Sequence, residues 1–382
     1  MPRLFARPRA ASFAVFAALV GLAPSARAGN MDPAPERLQT PYTDAELTAA
    51  GLPAELQGKG DVACQVVAAN PTAYLDSAGK PIALPCRADS RAFAALVGEF
   101  GYAIAPPILR GAHTYGQRAF ELRFQTSIST INSDRSYWRL GTEGPRDEAK
   151  NQASVQNKDP SSVLALYGVE ARKGLPFGFE TGAFFGWLGQ TSLFVPGVSV
   201  RWVPKEGFRD DVLGLLPDVA FGAAFRALTG TTKMQVYTTA LDVEVSKRIT
   251  VASALEFTPY LAVQRLIVAG RSSALDLTPN TDANQQCGFT GFDENRNKVC
   301  SNTFTSPKDG KRYGLVNDFN NSATFDTTVT HRTRTVGGIQ LKRDHFVAAG
   351  EVAFDLTDPG TENVNLVGGR QATFSLSAGA SF

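Results

Sequence analysis

The sequence predicts an all-β fold: a transmembrane, antiparallel up-and-down β-barrel of about ten strands, behind a small N-terminal region clipped by a disulfide. Three observations carry this expectation. Stretches of alternating apolar and polar residues recur ten times between residues 117 and 382. The connections on one side are mostly short, with 204–217 the exception, and the two longest fall on the other side. The final stretch alternates strictly and ends on Phe382.

The first 28 residues read as a secretory signal. Arg3, Arg7 and Arg9 precede an apolar run from about Ala10 to Ala23, and Ala26-Arg27-Ala28 supplies a small-x-small cleavage pattern. The mature chain then begins near Gly29. No later stretch approaches the roughly 20 apolar residues of a spanning helix. Only helices and closed barrels satisfy the backbone inside lipid, so a membrane chain of this kind must be a barrel.

Residues 29–116 form a separate N-terminal region, expected either in the periplasm or folded into the barrel as a plug. Thr43 to Ala50 and Ser90 to Phe100 are its helix candidates. Thr43 and Glu46 have capping-box spacing at the start of the first. Four cysteines allow three pairings, and spacing favours Cys64–Cys86 and Cys287–Cys300. Disulfides suit an exported protein.

The barrel region runs from 117 to 382. In Phe120-Glu121-Leu122-Arg123-Phe124 the period is two, so one face is apolar and the other wet. The pattern returns at Val163–Lys173, Phe177–Leu188, Phe194–Val203, Asp218–Leu228 and Met234–Lys247. It returns again at Thr324–Lys342, Phe346–Leu356 and Gln371–Phe382. Leu255–Arg271 is also a strand, of ambiguous facing. The count is ten; two further strands within 98–112 or the long loops would make twelve. Most strands have about 10 residues or more, enough for a tilted crossing of a hydrocarbon layer about 25 Å tall. The connections 131–162 and 272–323 are the longest, and both fall on the end expected to face outside.

A soluble sandwich also alternates. Here the wet face carries Gly, Ser, Thr and charges of both signs, and the apolar face is rich in Phe, Tyr and Trp, as a lumen and aromatic girdles require. The last strand, Thr373-Phe374-Ser375-Leu376-Ser377-Ala378-Gly379-Ala380-Ser381-Phe382, resembles the C-terminal signal of Gram-negative bacterial outer-membrane β-barrels. That resemblance implies location in the bacterial outer membrane, contact with its lipid, and insertion by the barrel-assembly machinery, with Phe382 as the assembly signal.

The lumen-lining candidates are Glu121, Arg123, Glu170, Arg172, Glu180, Arg201, Arg226, Asp242, Glu244, Arg332, Arg334, Glu351 and Asp355. Two readings compete for them. They pair across strands as a salt-bridged core, or the arginines line a passage biased toward anions and small polar solutes. Ten to twelve strands leave room for a narrow path, not an open porin.

Net charge is +2, so no nucleic-acid partner is expected. The three histidines, His113, His331 and His345, form no nucleophile motif, and no enzyme activity is expected. Asp293-Glu294-Asn295-Arg296-Asn297 imitates the start of a calcium loop, but Lys298 stands at its glycine position; no metal or other cofactor is expected. The leading functional expectation is a narrow, gated or plugged channel for small solutes, and the alternative is a non-conducting barrel that displays its loops.

Overall fold

A computed structural model describes residues 31–382, apart from 61–62, 70–72, 80–81, 83, 145, 148–151, 154–155, 206–216, 252–254, 278–288, 293–297, 301–321 and 358–369. The signal segment, Cys287 (and so the second cysteine pair) and the acidic loop at 293–297 lie outside the described residues.

Ten strands close the barrel: β1 Phe120–Thr130, β2 Val163–Gly174, β3 Phe179–Leu188, β4 Phe194–Lys205, β5 Asp218–Leu228, β6 Met234–Ser246, β7 Leu255–Ser272, β8 Thr328–Arg343, β9 Phe346–Asp355 and β10 Ala372–Ser381. Each pairs antiparallel with its neighbours in sequence, and β10 returns to β1. Ile249–Val251 adds a short extra strand at the edge of β7. Residues 98–112 contribute no strand, so the barrel has ten and not twelve. Phe177 sits in the turn Pro176–Gly178 at φ 60°, not on the strand's apolar face as its alternation suggested.

Following the register once around the barrel returns to β1 about twelve residues further along. That stagger with ten strands gives a tilt near 40° and a backbone cylinder about 19 Å across. Such a lumen accepts one α-helix, whose width with side chains is about 10–12 Å.

The wall has two unlike faces. Outward residues are mostly apolar, and aromatics mark two levels. Phe179 and Trp187 on β3, Trp202 and Phe194 on β4, Phe346 and Phe354 on β9, and Phe382 and Phe374 at the C-terminus each stand eight residues apart. All eight are exposed at the barrel surface. Neighbouring rings stack within each level: Phe179–Trp202 and Trp202–Phe221 in the lower, Tyr167–Trp187 and Phe225–Tyr237 in the upper. Eight residues on strands of this tilt separate the levels by about 20 Å, close to the height of an outer-membrane apolar band.

Chain connections 131–162, 273–327 and 356–371 leave from the upper end; the lower end carries tight turns such as Asp344-His345. The upper end is therefore the outer one.

The N-terminal region reaches the barrel from that outer end. Residues 31–40 lie across the outer connections. Met31 donates its N–H to Gln190, Ala34 to Gly141, and Gln39 donates to Leu277. Lys233 binds Glu36 at 2.7 Å and Glu143 at 3.3 Å. Next comes a small unit with its own core of Leu47, Leu52, Leu56, Ala63 and Val67. It holds α1 (Asp44–Ala49) and α2 (Ala63–Ala69). Thr43 and Glu46 complete the capping box, and the Thr43 backbone and hydroxyl hold the Glu46 carboxyl below its ordinary pKa. The Cys64–Cys86 disulfide clips this unit across a separation of 22 residues.

Helix α3 (Ser90–Ala103) then descends into the lumen, capped by Asp89. Residues 104–113 continue as irregular chain to the lower end, from which β1 rises. Pro106-Pro107 makes continuation of the helix impossible. Close approach to the wall relies on small residues: a Cβ at Gly101 would stand 2.2 Å from Val268, and one at Gly270 would stand 2.4 Å from Val97.

Candidate functional site in the barrel lumen

The lumen charges fall in two tiers. The lower tier holds Glu121, Arg123, Glu170, Arg172, Glu180, Arg201, Asp242 and Glu244. Alternation points all eight inward, and the register brings them level. Arg123 donates to Glu121 at 2.9 Å, and Arg172 to Glu170 at 2.8 Å. Arg172 lies 3.7 Å from Glu121. Arg201 bridges Glu244 and Glu180. Asp242 accepts from Gln264 at 3.4 Å.

The upper tier holds Arg226, Arg332, Arg334 and Asp355, with Glu351 between the tiers. Arg332 donates to Asp355 at 3.0 Å. Arg226 lies over the Phe184 ring at 3.7 Å, and Arg334 donates to Gln264 at 2.6 Å. Among the described residues, these last two make no carboxylate ion pair within bonding distance.

All six wall arginines also reach the chain that fills the lumen. Arg332 donates to the carbonyl of Gly98, Arg226 to those of Ile104 and Ala105, and Arg334 to that of Pro106. Arg172 donates to Ile108, Arg123 to Leu109, and Arg201 to Gly111. The acceptors run in sequence order from helix to lower end.

Backbone N–H groups of the same segment find acceptors on the wall. Glu351 accepts from Ile108 at 3.2 Å, from Leu109 at 2.6 Å and from the Tyr260 hydroxyl at 2.8 Å. Gln340 accepts from Gly111, and Ser246 from Ala112, both at 2.7 Å. Arg110 closes the set with an ion pair to Glu180.

This bonding explains how residues 104–113 stay ordered without a ladder of their own. A buried backbone polar group left unmatched costs about 1–3 kcal/mol, so an extended chain needs a partner at nearly every residue. Leu109 takes φ 52°, a left-handed conformation that costs a branched residue about 1–2 kcal/mol. The Glu351 carboxylate on its N–H and Arg123 on its carbonyl hold it there.

At the upper end α3 has a second anchor. Glu99, 1 % exposed, accepts four hydrogen bonds from the first outer connection. The donors are the Asn132 N–H at 3.0 Å, the Asn132 side-chain amide at 2.6 Å, the Tyr137 hydroxyl at 2.6 Å and the Trp138 indole at 2.8 Å. Asn132 follows β1, and α4 (Ser136–Gly141) carries the two aromatics. Burial, and then the Glu99 charge, raise the Tyr137 phenol above its ordinary pKa.

Sequence reasoning missed Glu99, Arg110, Tyr260, Gln264 and Gln340. A lone carboxylate on the apolar helix candidate and the Pro106-Pro107 pair were the available signals. Tyr260 and Gln264 lie on the one strand whose facing was ambiguous; the structure turns both inward. The three histidines lie apart: His113 buried in the lumen, His331 on the outer wall, and His345 at a lower turn beside the Ser381 carbonyl. No group of potential metal ligands is found among the described residues.

A closed ten-stranded barrel with an apolar outer belt between two aromatic levels has the architecture of a transmembrane β-barrel of the outer-membrane type. No family model matches the sequence, and no curated protein matches it. Among solved structures the chain is similar to the attachment invasion locus protein Ail of Yersinia pestis, at 10 % identity and TM-score 0.22 over 69 % of this chain and 98 % of that one. It is similar to the outer membrane protein OprG of Pseudomonas aeruginosa, at 9 % identity and TM-score 0.25 over 71 % and 98 %. It is also similar to the translocator domain of the autotransporter NalP of Neisseria meningitidis, at 10 % identity and TM-score 0.30 over 76 % and 96 %. Likenesses of this strength transfer no function.

Proposed function

We propose that this protein is a closed, non-enzymatic outer-membrane barrel that holds its own N-terminal region, residues 31–89, at the outer surface. The observation that carries this reading is the bonding of the lumen segment. Six arginines, Glu351, Gln340 and Ser246 bind the backbone of residues 98–112. A helix and a length of irregular chain fill a cylinder about 19 Å across. The disulfide-clipped unit at the outer mouth is then the displayed part. Purified full-length protein in planar bilayers should give silent traces across a range of voltages. Discrete, reproducible openings would overturn this reading.

Arg226 and Arg334 favour a second reading, a plugged channel for small solutes. Both are held by carbonyls of the lumen segment, with an aromatic face or a side-chain amide as the other contact. Withdrawal of that segment as a plug would bare two guanidiniums at mid-lumen and favour anions. On this reading the full chain opens, and replacing Arg201 and Arg226 by Glu shifts its selectivity toward cations. Unchanged selectivity would remove both residues from any path.

A further inference from the structure

The outer wall carries almost no charge. Among the described strand residues that face outward, Lys173 and Arg343 stand at the lower rim and Arg271 stands above the upper aromatic level. Arg265 is different. It lies eight residues along β7 from the outward-facing Phe257, the same spacing that separates the aromatic levels on β3, β4 and β9. Its neighbours on the outward face of β7 are Val263 and Ile267, and its partner across on β6 is Leu241. Arg265 therefore occupies an upper-girdle position that other strands give to Trp187, Phe194 or Phe354.

A guanidinium on the lipid face is costly at the midplane and nearly free near the interface. Arg265 is exposed, so no lumen group neutralises it. Among the described residues its partner is neutral: it donates to the Thr333 hydroxyl on β8 at 2.7 Å. That bond points the side chain along the wall and leaves other N–H donors free to bind a planar or tetrahedral oxyanion. His331, one outward position above Thr333, is also exposed. Arg271 continues the basic column upward and donates to Gln235 at 2.7 Å. A phosphate ester of an outer-leaflet lipid placed at this height would set its acyl chains against Val263 and Leu241 and its charge beside Arg265.

We propose that Arg265, oriented by Thr333 and flanked by His331 and Arg271, binds the phosphorylated headgroup of an outer-leaflet lipid. The site lies on the wall's outer face, so it is independent of whether the lumen conducts.

The test uses the full-length protein in detergent, with bound lipid counted by native mass spectrometry. Lipid A, a disaccharide lipid carrying two phosphates, is compared with its dephosphorylated form and with inorganic phosphate. Lipid A should bind, and loss of its phosphates should weaken binding about tenfold, as for the loss of one charge-assisted hydrogen-bonded contact. Arg265→Gln should bring lipid A down to the level of the dephosphorylated form, and Arg271→Gln should have a smaller effect. Equal binding of the two lipid forms, or undiminished binding by Arg265→Gln, would overturn the proposal. Displacement of lipid A by equimolar inorganic phosphate would assign the site to a free anion and also overturn it. Arg265→Leu should fold into phosphatidylcholine vesicles at least as well as the parent protein, since that membrane offers no phosphate monoester. Loss of folding there would show that Arg265 serves the wall rather than a lipid.

Discussion

The barrel wall and the segment inside it are built on opposite principles. Each wall strand is satisfied by its two neighbours, and its inward charges pair largely with one another, as Arg172 does with Glu170 and Arg332 with Asp355. Residues 104–113 have no such ladder. Their carbonyls and N–H groups bind side chains of the wall. The wall can therefore exist without the segment, whereas the segment has its shape only within the wall. The structure joins a self-sufficient scaffold to a dependent passenger.

The largest test of that difference is deletion of residues 31–113. The barrel should still insert and show heat-modifiable gel migration, because no ladder bond is lost and the freed charges become hydrated. Planar-bilayer conductance should change from silent to an open, ohmic pore. A deletion variant that fails to fold would show that the wall depends on the segment after all.

Next in size is the Glu99 anchor. Glu99→Ala removes the acceptor of four buried hydrogen bonds and should cost about 3 kcal/mol in the seating of α3. Hydrogen exchange of amides 93–103 should rise while that of β1–β10 stays unchanged. Uniform exchange across both regions would mean that helix and wall open together.

A smaller effect comes from crowding the helix. Gly101→Val should displace α3 from β7 at a cost of about 1–3 kcal/mol, since the new Cβ meets the Val268 side chain. Val268→Gly in the same chain should recover most of it. Failure of the second change to rescue the first would contradict the direct contact.

The smallest expected effect on the barrel comes from the cap. Replacing Cys64 and Cys86 by Ser should destabilise the unit around Leu47 and Val67 by about 3 kcal/mol in the chain-entropy model. The thermal shift of the barrel band should not move. A lowered barrel transition would tie the two regions more closely than their separate cores suggest.

The wall was legible in the sequence because its physics is local. A period of two tells each strand which residues meet lipid, and Phe120-Glu121-Leu122-Arg123 states this without reference to any partner. Leu255–Arg271 was the exception. Arg265 stands outward among apolar residues while Gln264 and Tyr260 turn inward, so its polarity does not sort by face. The lumen segment was legible only in part. The helix over 90–100 shows in its pattern, but residues 104–113 carry no period, because their partners are side chains on eight different strands. Glu99 could not be placed for the same reason: its four donors lie more than 30 residues away in sequence.

In the proposed reading the chain passes through its own barrel, with residues 31–89 outside and β1 starting below. A cysteine introduced at Ser77, on an exposed turn of the clipped unit, probes this threading. Intact cells are treated with a polymer-linked maleimide too large to cross the outer membrane. Ser77→Cys should be labelled in intact cells, and the parent protein should not. Labelling only after the outer membrane is permeabilised would put this unit on the inner side and reverse the orientation proposed.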